Sequence, residues 1–214
     1  MQRSGGSKSV RSKGQAGFTI LEMVVVVVII LVLAAIGWPA LHKMMLRQKL
    51  HGLAQETAMQ MQSAKLEAIK RGVPAVMRVD FTNDEIMTFV DFDNSGTLNP
   101  VGGARPGETD FVIQRRPLPE TVFFWGPADA GEEGPDVVNG FTAVPSAPAE
   151  PRQAVFEPDG SIRDVGAYRF ADPRGNYLEV IVQSEASALV RLRKWDGTAF
   201  REAGEGGKAW KWSM

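Results

Sequence analysis

The sequence predicts an α+β fold in which the second half of one long N-terminal helix packs on an antiparallel β-sheet head. An almost unbroken apolar run, Met23–Ile36, is followed by apolar residues spaced alternately four and three apart, as on one face of a helix. After Gly72 the apolar spacing changes to two, as in a strand with one buried face. The 214 residues suffice for one anchor and one modest domain, and the absence of cysteine excludes disulfides and thiolate metal sites.

Residues 18–40 are predicted to form a transmembrane helix. At ~1.5 Å per residue this segment roughly spans a ~30 Å hydrocarbon core. The valines at 24–28 still favour a helix there, because an unpaired backbone amide in lipid costs several kcal/mol. Residues 1–16 carry four basic and no acidic side chains, which predicts a cytoplasmic N-terminus and a C-terminal body across the membrane. No small-residue cleavage site follows the apolar run, so we expect the anchor to be retained.

Glu22 lies inside the apolar segment, where an ionised carboxylate costs on the order of 3 kcal/mol or more unless it is paired. If the chain were cut after Gly17, the new α-amine of Phe18 would be a cation four residues before this carboxylate. The two groups could neutralise each other within one helix or between staggered helices. This pattern resembles the prepilin signature of type IV pilins and pseudopilins.

The resemblance implies a processing site and a place in the cell. In that family, prepilin peptidase cuts between the residues matching Gly17 and Phe18, removes a leader matching 1–17 and methylates the new amine, and the matching Glu22 guides subunit docking. It implies a pilin fold and a single pass through the bacterial inner membrane, with a periplasmic head. The implied partners are other pilins of the filament, the inner-membrane assembly platform and membrane lipid. The alternative is a plain signal anchor that carries a glutamate.

Residues 41–72 are predicted to continue the helix as an amphipathic stem. Its apolar stripe comprises Leu46, Leu50, Leu53, Thr57, Met61, Ala64 and Ala68. Pro39 predicts a kink, because an interior proline removes one helical hydrogen bond, and pilins commonly carry a proline at the matching place. Lys70, Arg71, Gly72 and Pro74 are stop signals, which predict a helix from Phe18 to Arg71.

Two short stretches of the sequence narrow the resemblance to one branch of this family. The run 62–74 resembles the stem-to-head passage of the GspH/FimT branch, the minor pseudopilins of type II secretion and minor pilins of type IV pilus assembly, with Lys65 where arginine is usual. The turn at 156–161 reads Phe-Glu-Pro-Asp-Gly-Ser and is similar to a turn of that branch. The resemblance implies a minor subunit of a type II secretion pseudopilus or of a type IV pilus.

The head, residues 73–214, is predicted to be an antiparallel sheet with a long loop over 126–151, which is rich in Gly, Pro, Ala and acidic residues. The predicted strands are Val73–Phe81, Ile86–Phe92, Val112–Gln114, Leu118–Trp125, Tyr168–Phe170, Tyr177–Gln183 and Leu189–Lys194.

One candidate metal site lies in the head. Asp91, Asp93, Ser95, Thr97 and Asn99 place oxygen ligands at alternating positions, as at the start of a calcium loop. However, Gly102 stands where a bidentate glutamate should close such a loop. An Asx-rich turn is the alternative that we favour, and no metal is expected.

Basic and aromatic residues near the C-terminus form a candidate surface for single-stranded nucleic acid. They are Arg191, Arg193, Lys194, Lys208, Trp210, Lys211 and Trp212. A DNA-binding minor pilin acting in uptake is therefore the alternative function. The head sums to about −8 in formal charge, which opposes DNA binding, and tryptophans that pack the tail onto the sheet are the interpretation we favour.

The sequence contains no motif for catalysis or for a cofactor. It has no phosphate-binding loop, no Gly-x-Ser-x-Gly elbow and no histidine outside the stem to act as a base. We therefore expect a structural assembly subunit that is not an enzyme and binds no cofactor.

Overall fold

The computed structural model describes residues 18–80, 83–99, 109–127, 138–139, 141–143, 152–205 and 210. Helix α1 spans Ile20–Arg71 and ends where the stop signals predict. Gly72 adopts a left-handed φ of 68°, and its N–H bonds to the carbonyl oxygen of Ala68 at 2.9 Å. The chain forms two compact units, Met1–His42 and Lys43–Met214, and α1 contributes residues to both.

Eleven strands follow in the described part of the chain. They are β1 Ala75–Asp80, β2 Glu85–Val90, β3 Phe111–Pro117, β4 Phe123–Phe124, β5 Val138–Asn139, β6 Thr142–Ala143, β7 Arg152–Phe156, β8 Gly166–Ala171, β9 Tyr177–Val182, β10 Val190–Trp195 and β11 Phe200–Glu202. All their pairings are antiparallel, which confirms the predicted α+β class.

The strands form two sheets where the sequence predicted one. The first sheet has the order β3-β2-β1-β7-β6, and the second has the order β11-β10-β9-β8-β4, with β5 also paired to β8. Of the predicted strand Leu118–Trp125, only Phe123–Phe124 pairs as a strand, and the chain before it turns away from β3, which ends at Pro117. Of the predicted loop at 126–151, the structure describes residues 126, 127, 138, 139 and 141–143, and the short strands β5 and β6 lie among them.

The main core lies between the stem and both sheets. All seven residues of the predicted stripe are buried, and Ala54 and Gln60 are buried beside them. The stem thus buries a wider face than one stripe, because it packs against two sheets. The core includes Met77 of the first sheet and Tyr168 and Phe170 of the second. Burial of this apolar area is the main term that stabilises the head.

Turns of the head also contact the C-terminal end of the stem. Lys65 Nζ donates to the carbonyl oxygen of Ser187 at 2.7 Å, in the turn between β9 and β10. Gly160, with a φ of 85°, lies so close to the stem that an added Cβ would sit 3.1 Å from Ile69 Cδ1. The Phe-Glu-Pro-Asp-Gly-Ser turn therefore needs glycine for its backbone conformation and for its close approach to α1.

Candidate functional site

The N-terminal site residues lie at the start of α1. Thr19 is the N-cap: its Oγ1 accepts the backbone N–H of Glu22 at 3.2 Å, and its carbonyl oxygen accepts the N–H of Met23 at 3.2 Å. Thr19 and Glu22 have the spacing of a capping box, and the positive end of the helix dipole favours a carboxylate in the first turn. Phe18 is 75% exposed, and Gly17 lies outside the described residues.

The apolar part of α1 has no packing partner in the described part of its own compact unit. Its large side chains from Ile20 to Leu33 are exposed. Among the described residues, α1 is the one helix that has both the length and the apolar composition to cross a membrane. Signal sequences share this property. Pro39 lies inside α1, which continues to Arg71, and the kink at this proline stays a prediction.

A comparison with protein-family models matches residues 12–38 to the prokaryotic N-terminal methylation motif. The chain therefore carries the methylation motif that the resemblance at Gly17, Phe18 and Glu22 predicted. The matched segment contains Gly17, Phe18 and Glu22, the residues on which the predicted resemblance rests. No curated protein sequence matches the chain.

Solved structures similar to this chain include a minor pseudopilin and a minor pilin. The minor pseudopilin EpsH of the type 2 secretion system of Vibrio cholerae has a TM-score of 0.40 at 14% identity, covering 69% of this chain and 96% of that one. The type IV minor pilin FimU of Pseudomonas aeruginosa has a TM-score of 0.39 at 12% identity, covering 72% and 94%.

The candidate calcium-binding residues lie in a loop, 91–99, that covers part of the outer face of the first sheet. Asp91 is fully buried, and its two carboxylate oxygens accept the N–H groups of Ser95 at 3.1 Å and Gly96 at 2.7 Å. Asp93 also accepts the Ser95 N–H, at 3.0 Å. Leu98 packs on the small core of Val76, Met87, Phe89 and Val155 beneath the loop. These hydrogen bonds are typical of an Asx-rich turn.

Asp110, the residue directly before β3, also lies beside this loop, and no feature of the sequence predicted that contact. One carboxylate oxygen from each of Asp91, Asp93 and Asp110 lies within 4.8 Å of the others. Asp110 accepts the N–H groups of Phe92 at 2.7 Å and Asn99 at 2.8 Å. No spacing rule links a loop to an acid 11 or more residues beyond its end, so only the fold could reveal this contact. That the loop binds no metal stays a prediction.

The carboxyl groups of this loop differ in their proton affinity. Burial raises the pKa of Asp91 to about 6, against the opposing effect of its hydrogen bonds from Gly96 and Ser95. The more exposed Asp93 has a lowered pKa, chiefly because of its hydrogen bond with Ser95. Near pH 6 the loop therefore holds a carboxyl group that is partly protonated beside one that is ionised.

The described residues of the candidate nucleic-acid-binding surface make contacts within the protein itself. Arg191 pairs with Glu202 at 2.7 Å, and Arg193 pairs with Glu179. Lys194 is buried and donates to the carbonyl oxygen of Trp195 at 3.1 Å. Trp210 meets the ring of His51 edge-on at 5.9 Å, and its Nε1 donates to the carbonyl oxygen of Arg201. Lys208, Lys211 and Trp212 lie outside the described residues.

Proposed function

We propose that this pilin-like chain is a minor pseudopilin or minor pilin, a structural subunit that assembles into the pseudopilus of a type II secretion system or into a type IV pilus. The observation that carries this proposal is the methylation motif at 12–38, overlapping a helix that runs from Ile20 to Arg71. The second half of that helix packs on antiparallel sheets, as the pilin resemblance implied. Its role is assembly, and no step of catalysis is assigned to it.

Processing at Gly17–Phe18 supplies the group that Glu22 needs. Cleavage by prepilin peptidase frees the α-amine of Phe18, and the same enzyme then methylates it. The methylated amine is a cation four residues from the carboxylate. Glu22 is exposed at the first turn of α1, so its carboxylate can face the amine of a neighbouring subunit. Such a pair neutralises a charge whose burial in lipid would otherwise be costly.

The subunit's proposed location follows from its charge distribution and its apolar helix. The basic leader stays in the cytoplasm, the anchor at 18–40 lies in the inner membrane, and the stem and head are periplasmic until assembly. Its partners in this proposal are prepilin peptidase, other pilins of the same filament, the assembly platform and membrane lipid. A secretion or pilus operon beside its gene distinguishes the two systems.

Mass spectrometry of the mature protein tests the proposal. We expect a chain that begins with N-methylated Phe18 in cells with an active prepilin peptidase. Gly17→Leu should leave the leader attached, because a bulky residue blocks access of the protease to the backbone at the cleavage site. Gly14→Leu is the matched control and should be processed normally. An intact leader on the wild-type chain in such cells would refute the proposal.

We do not propose DNA binding as a second function. It requires the basic and aromatic residues of the C-terminal region to be available on one surface. Arg191 and Arg193 are instead paired with carboxylates, and Trp210 packs on the main core. These contacts favour the packing interpretation for the described part of that region.

A further inference from the structure

A row of alternating charges crosses the second sheet on the face opposite the core. Arg169 of β8 is directly opposite Glu179 of β9, Glu179 is opposite Arg193 of β10, and Arg193 is opposite Glu202 of β11. Their neighbours along the strands, such as Tyr168 and Leu178, point into the core. Because side chains alternate along a strand, the charged residues point outward.

Two members of this row are buried although they face away from the core. Arg169 is 6% exposed and Glu179 is 1% exposed. Arg169 Nε donates to Glu179 Oε2 at 2.9 Å, and Arg193 Nε donates to Glu179 Oε1 at 2.9 Å. Phe200 holds the guanidinium of Arg169 through a cation–π contact, with Cζ 5.1 Å from the ring centroid. The guanidinium is therefore fixed in place.

The hydrogen bonding of Arg169 is incomplete. Its Nη1 is buried and has no hydrogen-bond partner among the residues that the structure describes. A buried donor without an acceptor costs about 1 to 3 kcal/mol, and more when the group is charged. The natural partner of a free guanidinium N–H is a carboxylate, which can take two parallel hydrogen bonds from the planar fork.

Arg169 is one of the residues that line a cavity of about 620 Å³. The charged lining residues of this cavity are Arg169, Glu179 and Arg193, the neutral polar Gln183 lies beside them, and its apolar lining includes Val165, Ala167 and Ile181. The described lining thus holds two cations and one anion, an excess of one positive charge. A carboxylate would balance that charge, while the methylene groups of its side chain would contact the apolar wall.

We propose that this cavity receives an acidic side chain, aspartate or glutamate, of a neighbouring filament subunit, and that Arg169 binds its carboxylate. The inference rests on the proposed function, since it needs a filament in which heads meet. It adds a specific contact in the head, on the second sheet, to the pairing of Phe18 and Glu22. Arg169 is the recognition residue, and Glu179 and Phe200 are positioning residues.

Crosslinking from the cavity rim tests the proposal in the full-length chain. Since the sequence has no cysteine, a single Val165→Cys on the exposed rim can be labelled with a benzophenone maleimide in cells that express the whole filament system. We expect an adduct with a co-assembling pilin, mapped by mass spectrometry to a peptide that contains an acidic residue. Arg169→Gln should reduce this adduct at least fivefold. Arg115→Gln, which removes an Arg–Glu pair from the first sheet, is the matched control and should leave it unchanged.

A second variant keeps the test independent of any folding defect caused by Arg169→Gln. Replacing the mapped acid of the partner by glutamine should reduce the adduct to the same extent. An adduct that is unchanged in Arg169→Gln, or that forms only with lipid or with peptides lacking an acid, overturns this inference while leaving N-methylated Phe18 in place. Absence of N-methylated Phe18 from the wild-type chain overturns the proposed function, and this inference with it.

Discussion

The hydroxyl of Tyr168 donates a 2.7 Å hydrogen bond to the carbonyl oxygen of Met77, and so joins β8 of the second sheet to β1 of the first. The same hydroxyl oxygen accepts the backbone N–H of Ala154 on β7 at 3.3 Å. Tyr168 is fully buried, and its ring packs against Phe141 with centroids 4.8 Å apart. One side chain thus satisfies backbone groups of two strands in the sheet it does not belong to.

Residues 41–214 should fold without the anchor and without detergent. The compact unit that contains the head begins at Lys43, and the main core draws its stem residues from Leu50 onward. Circular dichroism of a fragment spanning 41–214 should show both helix and strand, with a cooperative thermal transition. A non-cooperative, largely unfolded fragment would refute the proposed packing of the stem on the sheets.

Tyr168→Phe should lower the free energy of unfolding of that fragment by about 1 to 3 kcal/mol, because the carbonyl of Met77 and the N–H of Ala154 lose a buried partner. Urea denaturation measures the effect. Tyr177→Phe, at a half-buried position on β9, is the matched control and should change stability by less than about 0.5 kcal/mol. Equal effects of the two substitutions would show that the bridge between the sheets contributes nothing.

The sequence predicts those elements whose signals are local and repeated. The stem stripe spans several turns, and Gly72 follows a basic last turn, so both the buried face and the end of α1 could be predicted. Strands β4, β5 and β6 have two residues each, too few to show a period, and their pairing depends on distant strands. The β11 strand, with three residues, was missed in the C-terminal region for the same reason.

The buried charges could not be predicted either. In the sequence, Arg169 and Glu179 alternate with apolar residues, which is the pattern of side chains that face solvent. Their burial depends on cross-strand pairing, which places Arg169, Glu179 and Arg193 side by side. Asp110 likewise reaches the Asp91 loop only because β3 pairs with β2, directly before that loop. Contacts of this kind are set by register, and register is not a property of any one segment.

The pH dependence of stability should change in Asp91→Asn. Because the pKa of Asp91 is about 6 when folded and 3.8 in the reference state, the folded head binds the proton more tightly. Its contribution to stability is fully present below pH 3.8 and is lost as the pH rises through 6. At about 1.4 kcal/mol per pH unit, this contribution amounts to roughly 3 kcal/mol.

Urea midpoints between pH 4 and 8, in a buffer with EDTA to remove divalent cations, measure this effect. The stability of wild type should fall relative to that of Asp91→Asn between pH 4 and 7, so that the cost of the substitution shrinks as the pH rises. Asp84→Asn, in the exposed turn between β1 and β2, is the control and should run parallel to wild type. A cost of Asp91→Asn that is constant across this range would contradict the prediction.

Glu22→Gln should leave membrane insertion intact but impair assembly. Glutamine keeps the size and hydrogen-bonding capacity of the side chain while it removes the charge, so burial in lipid becomes less costly. What is lost is the attraction to the methylated amine of Phe18 on an adjoining subunit. At 4 Å such a pair is worth ~1 kcal/mol in water and ~4 kcal/mol at an effective dielectric of 20, which is a tenfold or larger change in docking at the upper value.

Crosslinking between membrane-inserted subunits and their partner pilins measures this docking. Thr19 is not a neutral control position, because its hydroxyl accepts the Glu22 N–H and caps the helix. Thr19→Ser keeps that hydroxyl and should assemble like wild type, whereas Thr19→Val should weaken the start of α1 without altering any charge. A loss of crosslinks in Glu22→Gln, with normal membrane fractionation, supports charge pairing as the reason for the glutamate. Undiminished crosslinks with full pilus or secretion function would exclude it, because the neutral amide would then serve as well as the carboxylate.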